Sequence, residues 1–393
     1  MILYYDVEEH TWFHTHAQKS YTFGVEEVPL LYKEKPSPSS IPFSVFLQKR
    51  QNAGPLVGIL AGRKNKKSVV GNGTLFKKIQ EQIIDNGGVS FVFTPEDVRE
   101  NGTIKGLLYL PHQNRWIPID CPFPHIVYNR LPFRKLEQEE EYKSALRLFQ
   151  EKKVCFFNPS FLDKYELYSI FKEHPRVGPF FPETILIENA NSLKKFFESH
   201  INIYVKPTYS AKGNGIFKVQ LANNAEIIVT NRKNQLIYKS FEDFWEDYKE
   251  RFSEKNYIAQ KEISPLLYNG NRYDFRILAH YNGEKYDVTG IGIRQSVEQN
   301  ITTHIPNGGK RIPYDEVSTK RDDEFVRKIV HECGENLSKS LGFFGEFSID
   351  AGLSANKEYV IYEINSKPMS FDEPEIEEAR LQNLIRLFHH LFT

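Results

Sequence analysis

Two apolar segments near the C-terminus carry acidic and amide side chains at alternate positions, and they constrain the fold more than any other stretch. Gly345-Glu346-Phe347-Ser348-Ile349-Asp350 alternates toward a turn, and Tyr359-Val360-Ile361-Tyr362-Glu363-Ile364-Asn365 alternates away from it. A period of two is the mark of β-strands, so Phe343–Met369 predicts a hairpin of two short buried strands. Glu363 and Asn365 are two apart and share a face. Asp350, at the end of the first strand, lies close enough across a hairpin to join them. Carboxylates gathered on one face need a compensating cation. Hard oxygen donors in small number suit Mg²⁺, which completes its shell with phosphate oxygens and water. The competing reading is a solvated strand face.

Length and charge narrow the class. A chain of 393 residues exceeds one ordinary core and predicts two or three domains. Lys plus Arg and Asp plus Glu are both 51, so the formal charge is zero, which argues against bulk attraction to nucleic acid while allowing a local basic groove. Phe (30) and Tyr (21) far outnumber Met (2), so the core leans on rigid rings. Cys121, Cys155 and Cys333 have neither metal-ligand spacing nor the even count of a disulfide framework, and a reducing cytosol is the default. The N-terminus, MILYYDVEEHTWF, has acids where a signal peptide needs basic and then apolar residues. No apolar run approaches a membrane span. The expectation is a cytoplasmic protein with no nucleic-acid partner and no membrane span.

In chain order, residues 1–50 read as a small β-rich segment, with strands at Met1–Asp6 and Ser20–Val25 and a Pro/Ser-rich linker at Lys33–Phe43. Pro55–Gly62 is a buried strand, the basic loop Arg63–Lys67 follows, and Leu75, Ile79, Ile83 and Ile84 share the face of a helix over about Thr74–Asp85. With the strand Val89–Phe93 this is a βαβ unit, hence a parallel sheet. Gly71-Asn72-Gly73 either cradles an anion or is ordinary loop, and a dinucleotide fingerprint is missing. A hairpin (Leu107–Leu110, Trp116–Ile119), a strand ending PHIVYNR and a charged helix over Leu136–Gln150 complete an α/β domain, 54–157. From 158 to 393 strands broken by turns alternate with helices. The last helix starts at Pro374 and carries a core-docking stripe of Leu381, Leu384, Ile385 and Phe388.

Three further segments carry chemistry. Tyr204-Val205-Lys206-Pro207 ends a strand at a lysine, and Ser210-Ala211-Lys212-Gly213-Asn214-Gly215 follows as a small glycine-containing loop. Backbone N–H groups of such a loop can hydrogen-bond phosphate oxygens, and Lys206 and Lys212 supply point charges beside them. The Walker spacing is absent, and a plain hairpin turn stays open as the alternative. Tyr257–Ile263 is an apolar strand ending in Gln260-Lys261-Glu262-Ile263, a terminus that can recognise adenine or be an ordinary strand end. Arg276 begins one strand and Arg294 ends the next, so a hairpin can bring both to a metal–phosphate cluster. Structural salt bridges to Asp274 and Asp287 are the competing reading.

Taken in order, these segments resemble the ATP-grasp superfamily: a phosphate lysine in a strand ending VKP, a glycine-rich flap, an adenine hinge, then an acid with E-x-N. Asp163-Lys164 resembles the superfamily's earlier ATP lysine, and the D-x-R … R … N … GG run resembles the branch that adds amino acids to proteins and peptides. PHIVYNR, FNPSFLDK, YDFRI and YEINSKP are similar to the YheC/YheD-like group, described as endospore coat-associated, across roughly 54–393. The hinge departs from the E-x-x-V/I pattern of many members, which leaves open the side chain that meets the ribose.

The resemblance implies a multidomain α/β and α+β protein. Its ATP-grasp fold is two α+β subdomains clamping ATP, about 164–260 and 261–393, preceded by a Rossmann-like pre-ATP-grasp domain. ATP would be held by Lys164, Lys206, Ser210, Lys212, Gly213, Gly215, Gln260, Lys261, Glu262 and Ile263. Mg²⁺, with Mn²⁺ as a substitute, would be held by Asp350, Glu363 and Asn365. Arg276, Arg294 and Asn300 would act in catalysis, and His304 and Lys310 either read the substrate or lie in a solvated loop. The implied activity is an ATP-dependent carboxylate–amine ligase acting on an amino acid, peptide or protein, set at the spore coat or forespore surface with coat proteins as partners. A nucleotide-binding coat protein without turnover, and a kinase stopping at phosphoryl transfer, are the alternatives.

Overall fold

The computed structural model describes residues 1–65, 68–209, 215–222, 226–231, 234–296 and 309–393. At the N-terminus, Ile2–Asp6 pairs antiparallel with Thr11–His14 on one side and Ser40–Ser44 on the other. The stretch expected to be a linker therefore ends in a strand. Phe43, 2% exposed, packs its ring 5.6 Å from Trp12, and Pro42 is tolerated because the strand is at a sheet edge.

The following α/β unit is a six-stranded sheet in the order Arg115–Pro122, Thr103–Leu110, Val89–Phe93, Leu56–Leu60, Ile126–Asn129, Cys155–Phe157. Leu56–Leu60 lies parallel to both Val89–Phe93 and Ile126–Asn129, as a βαβ connection requires. The connecting helix, Gly73–Asp85, is capped by Asn72, whose side chain accepts from Leu75 N at 3.1 Å. The loop read as Arg63–Lys67 begins inside a short hairpin, Gly62–Lys64 with Ser68–Val70. Arg63 is turned inward and donates to both carboxylate oxygens of Asp97, at 2.7 and 2.6 Å. The C-terminal helix, Pro374–Phe392, docks on this unit: Leu384, Ile385 and Phe388 join Val57, Ile59 and Tyr128 in one core.

Two more sheets form the remainder. One is antiparallel, in the order Thr184–Leu186, Tyr257–Lys261, Asn202–Pro207, Phe217–Leu221, Ile227–Thr230, Gln235–Tyr238. Helices Ala190–His200 and Phe241–Glu254 cover one of its faces through Leu193, Phe197, Phe244 and Tyr248. The other runs Gly309–Ile312, Tyr286–Ser296, Asn271–Tyr281, Glu346–Leu353, Tyr359–Asn365. The helix Lys320–Leu341 buries Val326, Ile329, Val330, Cys333 and Leu337 against Phe275, Ile277, Phe347, Ile349 and Ile361. Alternation then sends Asp274, Arg276, Ser348 and Asp350 to the opposite face. Each sheet is thus closed by helices on one side, and a cleft forms where their polar faces meet.

Candidate active site

Strand register assembles the cleft's acidic floor. Arg276 lies opposite Asp350, and Asp350 lies opposite Glu363. Asn365, two residues on, lies opposite Ser348. Asp350 does not end its strand as the sequence suggests: pairing continues to Leu353, because Ala351 and Tyr359 bury against the helix side. A bulge follows Asp350, where Ala351 pairs with Ile361 and Tyr362 has no partner in the ladder. The extra residue turns Tyr362 as well as Glu363 toward the cleft, which both line.

Cations reach this floor from three other segments. Lys164 opens the helix Lys164–Phe171, whose cap Asp163 accepts from Tyr165 N and Glu166 N. Its Nζ lies 2.8 Å from Glu363 Oε1. Lys206 donates to Gln260 Oε1 at 2.6 Å, and Gln260 in turn donates to Thr184 Oγ1 at 3.0 Å. Burial and the neighbouring Lys164 push the Lys206 ammonium down to about 8, against the pull of Glu363. Arg294, 4% exposed, donates from Nε to Asp274 Oδ1 at 2.9 Å and places Nη2 3.0 Å from Asp350 Oδ1. Burial opposes its charge, yet Asp274 and Asp350 outweigh burial and hold the guanidinium above its ordinary value. Burial pushes the Asp350 carboxyl up, with Arg294 opposing.

Arg276 behaves differently from Arg294. It gives Nη1 to Ser370 O at 3.1 Å and Nη2 to Met369 O at 2.8 Å, and its guanidinium stacks 4.1 Å from the Phe371 ring. It shapes the loop that follows Asn365. Of the salt-bridge readings, Arg294 does pair with Asp274, whereas Asp287 is met by Lys285 at 3.6 Å and by Asn282.

The hinge divides its side chains. Gln260, Lys261 and Ile263 line the cleft, while Glu262 is held by Lys218 at 2.7 Å. Gly215 has φ +77°, and a Cβ there would lie 2.9 Å from Pro207 Cγ, so this turn needs a glycine. Ser210, Lys212, Gly213, Asn300 and His304 lie outside the described residues. Lys310 is exposed on the edge strand Gly309–Ile312. Tyr204, Arg272 and Tyr362 also line the cleft. Sequence reasoning missed them because aromatic and basic residues in strands look like core and surface, although Arg272 is two residues from Asp274 and shares its face.

The donor set suits a hard cation: two carboxylates opposite one another and an amide two residues along the same strand. Among the described residues no group of three or more His, Cys, Asp and Glu side chains could hold a metal ion.

The family model of YheC/D-like ATP-grasp proteins matches residues 153–391. The chain belongs to this family. Within it, the endospore coat-associated protein YheD of Bacillus subtilis is 27% identical over 339 residues, 80% of this chain and 73% of the relative. YheC of the same organism, also named endospore coat-associated, is 20% identical over 298 residues, 72% and 81% of the two chains. Among solved structures, D-alanyl-alanine synthetase A from Vibrio cholerae superposes with a TM-score of 0.52 at 10% identity, over 86% of this chain and 99% of that one. The ATP-grasp fold expected from VKP, the hinge and E-x-N is therefore present. Among the described residues no helix is long and apolar enough to cross a membrane.

Proposed function

We propose that this YheC/D-like ATP-grasp protein is an ATP-dependent carboxylate–amine ligase working through an acyl phosphate. The observation that carries the reading is the convergence of Lys164, Lys206, Arg294, Asp350 and Glu363, from four distant chain segments, on one cleft between two sheets. Lys164 and Lys206 bind the phosphates of ATP. Asp350, Glu363 and Asn365 would hold Mg²⁺, which would supply neutralisation of phosphate charge there. Arg294, fixed by two carboxylates, presents its charge where the γ-phosphoryl group passes to a substrate carboxylate. The amine then displaces phosphate to form the amide, so that phosphate rather than hydroxide leaves. Arg276 orients the loop Met369–Phe371 through the carbonyls of Met369 and Ser370.

The ligase names of solved ATP-grasp structures, such as the D-alanyl-alanine synthetase, support this reaction class. An amino acid with a peptide or protein is the substrate pair we favour, and the names of the Bacillus relatives support a setting at the spore coat. The test is a screen of ADP release against single amino acids and acidic peptides, with mass spectrometry of products. Amide formation supports the ligase. The relatives' names record association with the coat and no reaction, which favours a second reading, a nucleotide-binding coat protein. Tight ATP binding with no phosphate release in any coat extract would establish that one instead.

A further inference from the structure

The N-terminal α/β unit holds a cavity of about 520 Å³ that shares no lining residue with the nucleotide cleft. That volume falls within the roughly 300–1,000 Å³ of small-molecule sites. It exists because one helix does not cover a six-stranded sheet. Gly73–Asp85 packs Phe76 and Ile79 over Val57, Ile59 and Val92, and the outer strands Thr103–Leu110 and Arg115–Pro122 lie to one side. Ile104, Leu108, Ile117 and Ile119 bury on the sheet's other face. Alternation therefore turns Lys105, Leu107, Trp116 and Pro118 to the helix side. These four, with Phe76 and Val92, line the cavity, and the Trp116 ring packs 5.2 Å from that of Tyr109.

Charge enters at the edges of this apolar wall. The hairpin of Gly62–Lys64 with Ser68–Val70 brings Arg63 and Val69 to it. Arg63 donates from Nε to Thr94 Oγ1 at 3.1 Å and from Nη2 to Asp97 at 2.7 and 2.6 Å, which fixes the guanidinium. Lys105 is exposed and makes no ion pair among the described residues. Asp120, opposite it in the ladder, is met by His10 instead, with Nδ1 4.0 Å from Oδ2. Two cations thus line the wall with a single carboxylate, Asp97, which Arg63 already engages. A cation beside apolar walls attracts an anion more strongly than one surrounded by water.

We propose that this cavity binds a carboxylate with an apolar, preferably aromatic, body. The body packs on Trp116, Phe76 and Leu107, and the carboxylate meets Lys105 and Arg63. A neutral apolar molecule would leave both cations without an anion, and a small polar anion would gain nothing from the rings. A free aromatic acid and the C-terminal residue of a peptide both present this chemistry. The site does not depend on the nucleotide or ligase readings. One contact ties it to the cleft: Asn72, which caps the helix beside the cavity, donates to Ser370 Oγ at 3.1 Å, and Ser370 O accepts from Arg276.

The probes are 3-phenylpropionate and its neutral amide, followed on the full chain by tryptophan fluorescence and by calorimetry. The acid should bind saturably and about tenfold or more tighter than the amide, the size expected of a charged hydrogen bond. Lys105→Gln, at an exposed position, should erase most of that preference while leaving the amide's affinity unchanged. The acid-to-amide ratio of the unmodified protein decides the matter alone should this variant not fold. Trp116→Phe should remove the fluorescence response while calorimetry still records binding, because Trp12 and Trp245 lie outside the cavity. Saturating ATP with Mg²⁺ should not displace the acid. Absence of saturable binding, equal affinities for acid and amide, a preference untouched in Lys105→Gln, or displacement by ATP would each overturn the proposal. A peptide ending in phenylalanine, compared with its C-terminal amide, then separates the two sources. Tighter binding than phenylpropionate assigns the site to a peptide end and weaker binding assigns it to a free acid, and both support the site.

Discussion

Lys164 and Glu363 stand 199 positions apart in the chain and meet with Nζ 2.8 Å from Oε1. The lysine is the first residue of a helix and the glutamate the acid of E-x-N, so this contact joins two of the segments that line the cleft. In the proposed reaction both must be present, one for phosphate and one for the metal. Glu363→Ala should abolish ATP turnover while leaving thermal unfolding cooperative and near its original midpoint. Turnover within a few-fold of the unmodified protein in that variant would sink the ligase mechanism.

Arg294 makes a prediction about stability instead of turnover. It is buried between Asp274 and Asp350, so Arg294→Met leaves two carboxylates without their cation. Removing one partner of a buried pair costs about 3–5 kcal/mol. Denaturant unfolding should show a loss of that order, and it should shrink when Asp274 is also changed to Asn, since the double change removes one of the stranded charges.

Lys206 gives a pH dependence whose sign follows from its surroundings. Burial beside Lys164 holds its ammonium near 8, below the ordinary 10.5 of a lysine. The folded protein thus holds this proton more weakly than the unfolded chain does. The resulting stability penalty is full below about 8 and fades as pH rises toward the unfolded value. Phosphate binding needs the charged form, so ATP affinity should fall as pH rises through about 8. Titrating ATP affinity from neutrality upward checks this, and Lys206→Met should lower the affinity and flatten that part of the profile.

A buried node outside the cleft should matter as much to folding. Glu346, fully buried, accepts from Arg380 Nε at 2.5 Å, Tyr128 Oη at 2.6 Å and Arg130 Nη1 at 3.3 Å. Arg130 and Arg380 both donate to Pro368 O as well. The node therefore joins the N-terminal α/β unit, the C-terminal sheet and the last helix at the loop that Arg276 holds. Burial opposes the Glu346 charge, but Arg380, His280 and Arg130 outweigh it and keep the carboxyl well below its usual range. Glu346→Gln should destabilise the protein by about 3–5 kcal/mol, since the buried Arg130 guanidinium loses its carboxylate and Arg380 is left with Glu377 at 3.2 Å. A change under 1 kcal/mol by denaturant unfolding would contradict this.

The sequence by itself determined the local elements and the fold family. Period-two alternation marked Tyr359–Asn365 as a strand, the glycine-bounded run Pro55–Gly62 and its amphipathic helix specified a parallel βαβ unit, and VKP with E-x-N pointed to the ATP-grasp fold. These are legible because side-chain periodicity and turn chemistry act between near neighbours. What only the tertiary structure decided is how distant residues divide their hydrogen bonds. Arg276 and Arg294 look equivalent in sequence, yet register sets Arg294 between two carboxylates and Arg276 against the carbonyls of Met369 and Ser370. The bulge beside Asp350 turns Tyr362 toward the cleft, and Arg272 of one sheet lines that cleft together with Tyr204 of another. A strand's sequence fixes which of its residues share a face, whereas the partner each one meets depends on the register and packing of sheets joined through a hundred or more intervening residues.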